Sequence, residues 1–153
     1  MVIARKISQA NVTMSSVMLP QYANPAGNVH GGEILKLMDN TAGVVAQRHA
    51  RTNVVTAQID EVKFMQPILV GEVVTCHGQV MYVGRTSMVI LITVTVENML
   101  KEEPPRTALT AFFTMVALDA EGNPQDVPKL EFTTQEERLL YEKGRQYYVN
   151  HQK

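Results

Sequence analysis

At 153 residues, 45% apolar and 19% charged, the chain is long enough for one buried core and too apolar for general disorder. A formal net charge of -1 without a Lys/Arg cluster excludes a nucleic-acid surface, and the single cysteine, Cys76, excludes a disulfide framework and fits a reducing compartment. The start MVIARKISQ has no apolar signal core, and no apolar run nears the roughly 20 residues that span a bilayer, so a soluble, cytoplasmic protein without a membrane partner is expected.

Residues 12–19, VTMSSVML, alternate in part and predict a first strand ending at Pro20. A loop follows over 21–30, punctuated by Pro25 and Gly27. From Gly31 to about Ala50, Leu35, Met38, Ala42, Val45 and Ala46 recur at helical spacing, with Glu33, Lys36, Asn40 and Gln47 on the opposite face. Leu37 and Val44 lie near that polar side, so the helix is expected to be buried on most sides. Strand signals come next. Residues 54–65 alternate, but the phase slips between Ile59 and Val62, which predicts a bulge near Asp60 or Glu61. Pro67 and Gly71 mark a turn, after which 73–83 sets Val74, Cys76, Val80 and Tyr82 on one face. Gly84 and Arg85 connect tightly to 86–96, TSMVILITVTV, the clearest strand in the chain. The turn KEEPPR leads to a strand over 107–118, closed by Glu121-Gly122-Asn123-Pro124. Thr134-x-x-Glu137 is a capping-box pattern opening a charged, tyrosine-rich helix through about Tyr148. This order predicts an α+β fold, one apolar helix with an antiparallel sheet large enough to wrap it. Val89 and Leu91 leave the outer face of that sheet apolar, and pairing through an edge strand would make the protein an oligomer.

The candidate chemistry lies in 24–46, NPAGNVHGGEILKLMDNTAGVVA. A helix start collects backbone N–H groups without intrahelical acceptors, and the helix dipole favours negative charge there. Glycine inside a helix costs about 1 kcal/mol against alanine. Gly31 and Gly32 at the first turn therefore either admit a ligand or make a tight helix–sheet contact. Asp39, two turns on, has Gly32, Gly43, Leu35 and Ala46 around it on the helical wheel, which puts a carboxylate into a narrow, half-dry groove. The plain alternative is a boundary residue, paired with a neighbouring chain or solvated at the rim. Donors followed by a carboxylate suggest hydrolysis of an activated carbonyl. Asn24, before Pro25, reads alone as an Asx-turn residue, and His30 as a brace of the loop. Other chemistries lack their residues. His30, His49, His77 and His151 have no metal-ligand spacing, so no metal is expected. No nucleophile elbow, Walker loop or dinucleotide fingerprint is present. Cys76 and His77, adjacent on a strand, point to opposite faces and form no dyad, which leaves Cys76 to the core.

Asn24-x-x-Gly27-x-x-His30-Gly31-Gly32-x6-Asp39 is more specific than any of its parts. With VVTAQIDEVKFMQPILVGEVV, VGRTSM and TALTAFFTMVALD, it resembles the hot-dog-fold acyl-CoA thioesterases, in particular the cytosolic acyl-CoA hydrolase branch, over about residues 10–130. The resemblance implies an α+β hot-dog fold, an antiparallel sheet wrapped around one long central helix. It implies an acyl-CoA hydrolase domain over 1–130 and a C-terminal helical extension over 131–153. The activity implied is release of free fatty acid and coenzyme A from acyl-CoA, with no cofactor apart from the coenzyme A of the substrate.

The residue roles follow the same resemblance. Gly31 or Gly32 N–H would stabilise the oxyanion, and Asp39 would act as general base or as nucleophile. Asn24 would position the water or hold the carbonyl, while His30 braces the loop. Gly84, Arg85, Thr86 and Ser87 resemble the segment that lies along the pantetheine and phosphates of coenzyme A, where arginine and free turn amides suit phosphate oxygens. A hairpin turn with a solvated arginine is the plain alternative. Arg106, Lys129 and Arg138 are secondary candidates for the 3′-phosphate, and the acyl chain would pass beside Leu35 and Met38. In this family the site lies between subunits, with the Asn loop and the Asp helix from different protomers. That implies a homo-oligomer, a dimer as the unit and a trimer of dimers, or hexamer, as the assembly. Two other readings share the fold. An acyl-CoA-binding sensor would not require Asp39, and a hot-dog dehydratase would turn His30 and Asp39 onto one substrate. Asn24 with the Gly-Gly start fits hydrolysis better.

Overall fold

The expected long helix forms as α1, Gly31–Ala50, in a computed structural model that describes residues 4–151. Ile34, Met38, Thr41, Ala42, Val45, Ala46 and His49 are buried on it, at the three- and four-residue intervals that share one helical face. Leu35, Leu37 and Val44 are only partly buried. Within one chain the helix therefore keeps a half-exposed flank and is not buried on most sides. Arg51 closes it in the left-handed region (φ 60°), its N–H bonded to the Gln47 carbonyl at 2.7 Å.

The strands are β1 Arg5–Lys6, β2 Val12–Val17, β3 Asn53–Asp60, β4 Val73–Val83, β5 Ser87–Glu97, β6 Arg106–Leu118 and β7 Leu130–Glu131. Five of them form one antiparallel sheet in the order β2-β4-β5-β6-β3, and β1 pairs with β7 in parallel. Helix α1 links the two edge strands and packs on the inner face, against Val74, Cys76, Val80, Ile90, Ile92, Val94, Phe113 and Met115. Cys76 is fully buried there, and burial pushes its thiol up to about 11. His77 points the other way and bonds Thr13 Oγ1 at 2.8 Å, so the two form no dyad. Helix and sheet approach closely at Gly78, where a Cβ would lie 2.9 Å from Val45 Cγ2 and 3.1 Å from Thr41 Cγ2. Gly78→Ala is expected to destabilise the fold by about 1–3 kcal/mol through overpacking. A urea melt with an unchanged midpoint would contradict this.

Two bulges change what the alternation predicted. The register of β3 against β6 steps from Thr56↔Met115 to Gln58↔Thr114, so the extra residue is Ala57, not Asp60 or Glu61. The strand ends at Asp60, and Glu61 turns the chain with φ 60°. On an unbroken strand residues 56, 58 and 60 would share a face. The bulge lets Thr56 face α1 while Gln58 and Asp60 face outward. In β4 the register steps between Val80 and Tyr82, making Met81 the extra residue. Tyr82 is thereby turned away from the Val74 face to the outer one, where its ring meets Tyr141 at 5.0 Å and Tyr148 at 5.1 Å.

Both tyrosines belong to α2, Gln135–His151, which covers part of the outer face that the sequence left open. Met81, Val89 and Phe112 of the sheet are buried against Tyr147 of the helix, with Tyr82 and Leu91 of the sheet and Leu140 and Tyr148 of the helix partly buried around them. Gly144 permits the close approach, since a Cβ there would lie 2.8 Å from Tyr82 Cβ. The helix begins as its capping box predicts. The Glu137 N–H donates to Thr134 Oγ1 at 3.1 Å, while Glu137 Oε1 accepts the N–H one residue earlier, from Thr133, at 2.7 Å. Tyr147 Oη donates to Asp60 Oδ2 and so ties α2 to the end of β3. The edge of β3 stays apolar and open within one chain, with Val55 45% and Ile59 39% exposed.

His49, 1% exposed, bonds the Pro128 carbonyl through Nε2 at 2.7 Å. Burial holds its pKa below the ordinary 6.5. Below pH 6.5 the unfolded chain takes up a proton that folded His49 refuses, so stability falls from there down to the folded pKa. The urea midpoint should accordingly decline between pH 7 and pH 5. His49→Gln should flatten that decline, and an equally steep curve in the variant would show that other groups cause it.

Candidate active site

The loop before α1 is built around Asn24. Its N–H donates to the Asn28 carbonyl at 2.7 Å, and its Oδ1 accepts the N–H groups of Ala26 at 3.0 Å and Asn28 at 3.2 Å. This is the Asx-type cap that an Asn before proline suggests. Both lone pairs of Oδ1 are thus used, and the Nδ2 amide is the part left for an outside group. His30 braces the loop through its backbone, donating to the Tyr22 carbonyl at 2.8 Å, while its ring is exposed. The His30 carbonyl accepts the first intrahelical bond, from Glu33 N–H at 3.0 Å, and its side chain makes no cap. Among the described residues no acceptor meets the N–H of Gly31 or Gly32. Gly31 opens on a cavity of about 310 Å³, lined also by Asn24, Ile34, Phe64, Met65 and Pro67 among others, and Gly32 lies outside that lining. A Cβ at Gly31 would touch the Phe64 ring at 3.4 Å, whereas Gly32 and Gly43 face open space.

Asp39 is half-buried and does not line that cavity. Eight residues of helix separate it from Gly31, about 12 Å along the axis at 1.5 Å per residue. A carbonyl held at the helix start is therefore out of reach of Asp39 in the same chain. Its Oδ1 accepts the Thr56 hydroxyl at 2.6 Å, and that hydroxyl also lies 3.3 Å from Met115 Sδ. Thr56 was not singled out from the sequence, where a threonine in a strand reads only as a strand former. The Ala57 bulge is what aims it at the helix.

Gly84, Arg85, Thr86 and Ser87 make the β4–β5 turn, with Gly84 N–H on the Ser87 carbonyl at 2.9 Å. Arg85 Nη1 pairs with Asp126 at 2.7 Å while its side chain is 76% exposed. The Thr86 carbonyl accepts the Ala117 N–H at 3.0 Å. Ser87 is buried and its hydroxyl donates to Tyr148 Oη at 3.2 Å. Thr56 pairs with Met115, Met115 with Met88 and Met88 with Val83, so this turn ends the cross-strand row of the Asp39–Thr56 pair. Asn24 and its cavity lie toward the other end of the sheet, where Met18 N–H bonds the Glu72 carbonyl just before β4 begins. One chain thus holds the predicted residues as two groups, Asn24 with His30, Gly31 and Gly32, and Asp39 toward the 84–87 turn. Arg106, a secondary phosphate candidate, is committed to Glu72 at 2.8 Å. Among the described residues no three His, Cys, Asp or Glu side chains form a metal-binding group, and no helix is long and apolar enough to cross a membrane.

The family model of the thioesterase superfamily matches residues 26–103, about half of the chain. The chain belongs to the thioesterase superfamily. Its hot-dog fold is that of solved members. A hexameric acyl-CoA thioesterase, solved in its apo form, superposes with a TM-score of 0.91 at 34% identity, covering 97% of this chain and 95% of that one. Acyl-CoA hydrolase from Staphylococcus aureus, solved with butyryl coenzyme A and coenzyme A, gives 0.88 at 27% identity, covering 96% and 89%. The Staphylococcus aureus hydrolase was also solved as alanine variants of an asparagine, an aspartate and a threonine, at the same sequence intervals as Asn24, Asp39 and Thr56. Mouse cytosolic acyl coenzyme A thioester hydrolase is 36% identical over 144 residues, which are 94% of this chain. This superfamily member spans 38% of the length of that relative.

Proposed function

We propose that the protein hydrolyses acyl-CoA thioesters to free fatty acid and coenzyme A. The observation that carries this reading is the pair of unpaired N–H groups at Gly31 and Gly32 in the first turn of α1, with Gly31 on the cavity that Asn24 also lines. Two donors at the positive end of a helix suit a carbonyl oxygen whose charge grows toward the transition state. Water adds to the carbonyl carbon as its proton passes to Asp39. The C–S bond then breaks, and the proton moves on to the coenzyme A sulfur. In the second route the Asp39 carboxylate attacks first and the C–S bond breaks to release the coenzyme A thiolate. Water then cleaves the resulting anhydride, regenerating the carboxylate and giving the free acid, with the proton going to the thiolate. The Asn24 Nδ2 amide holds the carbonyl or the water. Water is the only co-reactant, and no resident cofactor is part of the proposal.

Because Asp39 stands about 12 Å along α1 from the donors, Asp39 of one protomer faces Gly31, Gly32 and Asn24 of a second copy. The half-exposed flank of α1, the open space over Gly43 and the apolar edge of β3 support a second copy there. A dimer is the unit of this reading, and a trimer of dimers follows the hexameric neighbour. Coenzyme A runs over Gly84, Arg85, Thr86 and Ser87, with Arg85 exchanging Asp126 for phosphate. Residues 1–130 form the catalytic domain and 131–153 a C-terminal extension, whose helix α2 lies on the outer face of the sheet. The setting is cytosolic, as the name of the mouse relative has it. Incubated with acyl-CoAs of increasing chain length and a thiol reagent, the protein should release one thiol per thioester consumed. Tight binding without thiol release would reject hydrolysis and leave a sensor.

A further inference from the structure

The ion pair with Glu72 takes Arg106 out of the phosphate role that the sequence offered it, and neither residue has a part in the proposed hydrolysis. Glu72 is 5% exposed and sits just before β4, with Arg106 at the start of β6. Arg106 Nη1 donates to Glu72 Oε2 at 2.8 Å, and Nη2 donates to Oε1 at 3.0 Å and to the Pro67 carbonyl at 3.3 Å. Glu72 Oε1 also accepts the Leu69 N–H at 2.8 Å. The segment 67–69 is thus gripped from one side by a guanidinium fork and its carboxylate. From the other side it carries the Asn24 loop. The Val29 N–H donates to the Ile68 carbonyl at 2.8 Å, and Asn28 bridges to Leu69. Asn28 in turn holds Asn24 at both its N–H and its Oδ1. Pro67 and Ile68 line the same cavity as Asn24 and Gly31.

An ion pair with one buried partner, Glu72 at 7% side-chain exposure against 34% for Arg106, adds little stability that apolar residues of the same size could not supply, which leaves geometry as its use. We propose that Arg106 and Glu72 are positioning residues that hold the 67–69 segment and, through it, set where the Asn24 amide stands in the cavity. This rests on the hydrolase reading for its kinetic consequence, but the mechanical link can be measured without turnover.

Arg106→Lys keeps the charge but loses the fork, and Glu72→Gln keeps the shape and the Leu69 acceptor but loses the charge. Both variants are to be compared with wild type by thermal melt, amide exchange and thiol release. Exchange of the Val29 and Asn28 N–H groups should quicken about tenfold or more, while Ala117 and Val127 N–H at the far end of the sheet stay protected. In kinetics, kcat/KM should fall about 10- to 100-fold, the scale of a small misplacement. The loss should be absent in an Asn24→Ala background, because Arg106 acts through Asn24. Unchanged exchange at Val29, or losses that simply add in the double variant, would overturn the proposal. Wild type without turnover would reject the hydrolase reading, and the exchange result alone would then decide whether the pair holds the loop.

Discussion

Asp39→Ala is expected to lower kcat for thiol release by about 10²–10⁴-fold, the range for loss of a positioned acid–base group. The variant should stay folded. Asp39 is half-buried, it accepts the Thr56 hydroxyl at 2.6 Å, and Thr56 is exposed, so water can replace the lost acceptor. A stability change within about 1 kcal/mol is therefore expected. Asp39→Asn keeps the shape and the Thr56 bond but neither takes a proton nor attacks a carbonyl, so it should be as slow as Asp39→Ala. Thr56→Ala leaves the carboxylate in place but frees it to turn, and a loss of about tenfold is expected from one bond to a charged group. If Asp39→Ala kept more than about a tenth of the wild-type rate, Asp39 would be neither base nor nucleophile.

Mixing two variants of low residual activity is expected to restore activity. Asp39→Ala retains the donors and Asn24, while Asn24→Ala retains Asp39. In a dimer whose sites each join the Asn24 loop of one copy to Asp39 of the other, a mixed pair rebuilds one whole site and leaves one doubly damaged. Random exchange puts about half of all dimers in the mixed form, so about a quarter of wild-type activity should return. The physical basis is the separation along α1, about 12 Å from the Gly31 N–H to Asp39. Mixed samples no more active than the average of the two variants would place the whole site within one chain. The control is the double variant Asn24→Ala/Asp39→Ala mixed with itself, which should stay inactive. A stable monomer by sizing would likewise contradict the shared site.

Helix α1 was legible to the residue at its start and close to it at its end, because helical spacing, the Gly-Gly turn and the polar face are all local signals. The strands over 73–83 and 107–118 were legible for the same reason, and they form as β4 and β6 with an end moved by at most one residue. The bulges were not. One extra residue in a strand leaves almost no local mark, and its position depends on which face each side chain finds covered. Ala57 is the extra residue because Thr56 meets α1 while Gln58 and Asp60 meet the side of Tyr147. Met81 is the extra residue because Val80 packs in the inner core while Tyr82 packs under α2. The Thr56 bond to Asp39 and the Arg106 fork on Glu72 join residues far apart in the chain, so no spacing rule finds them.

The stretch 24–46 by itself determined the helix start, the donor-rich first turn and the carboxylate two turns on, since each follows from short-range backbone geometry. It did not determine which of these act together. Sequence nearness suggested that Asp39 serves the donors of its own helix, but an α-helix is rigid and its rise keeps them about 12 Å apart. Only the tertiary structure set Asn24 and Gly31 on one cavity and Asp39 against Thr56. Contacts of that kind depend on how strands are ordered and faced in the sheet, and long-range packing decides that order.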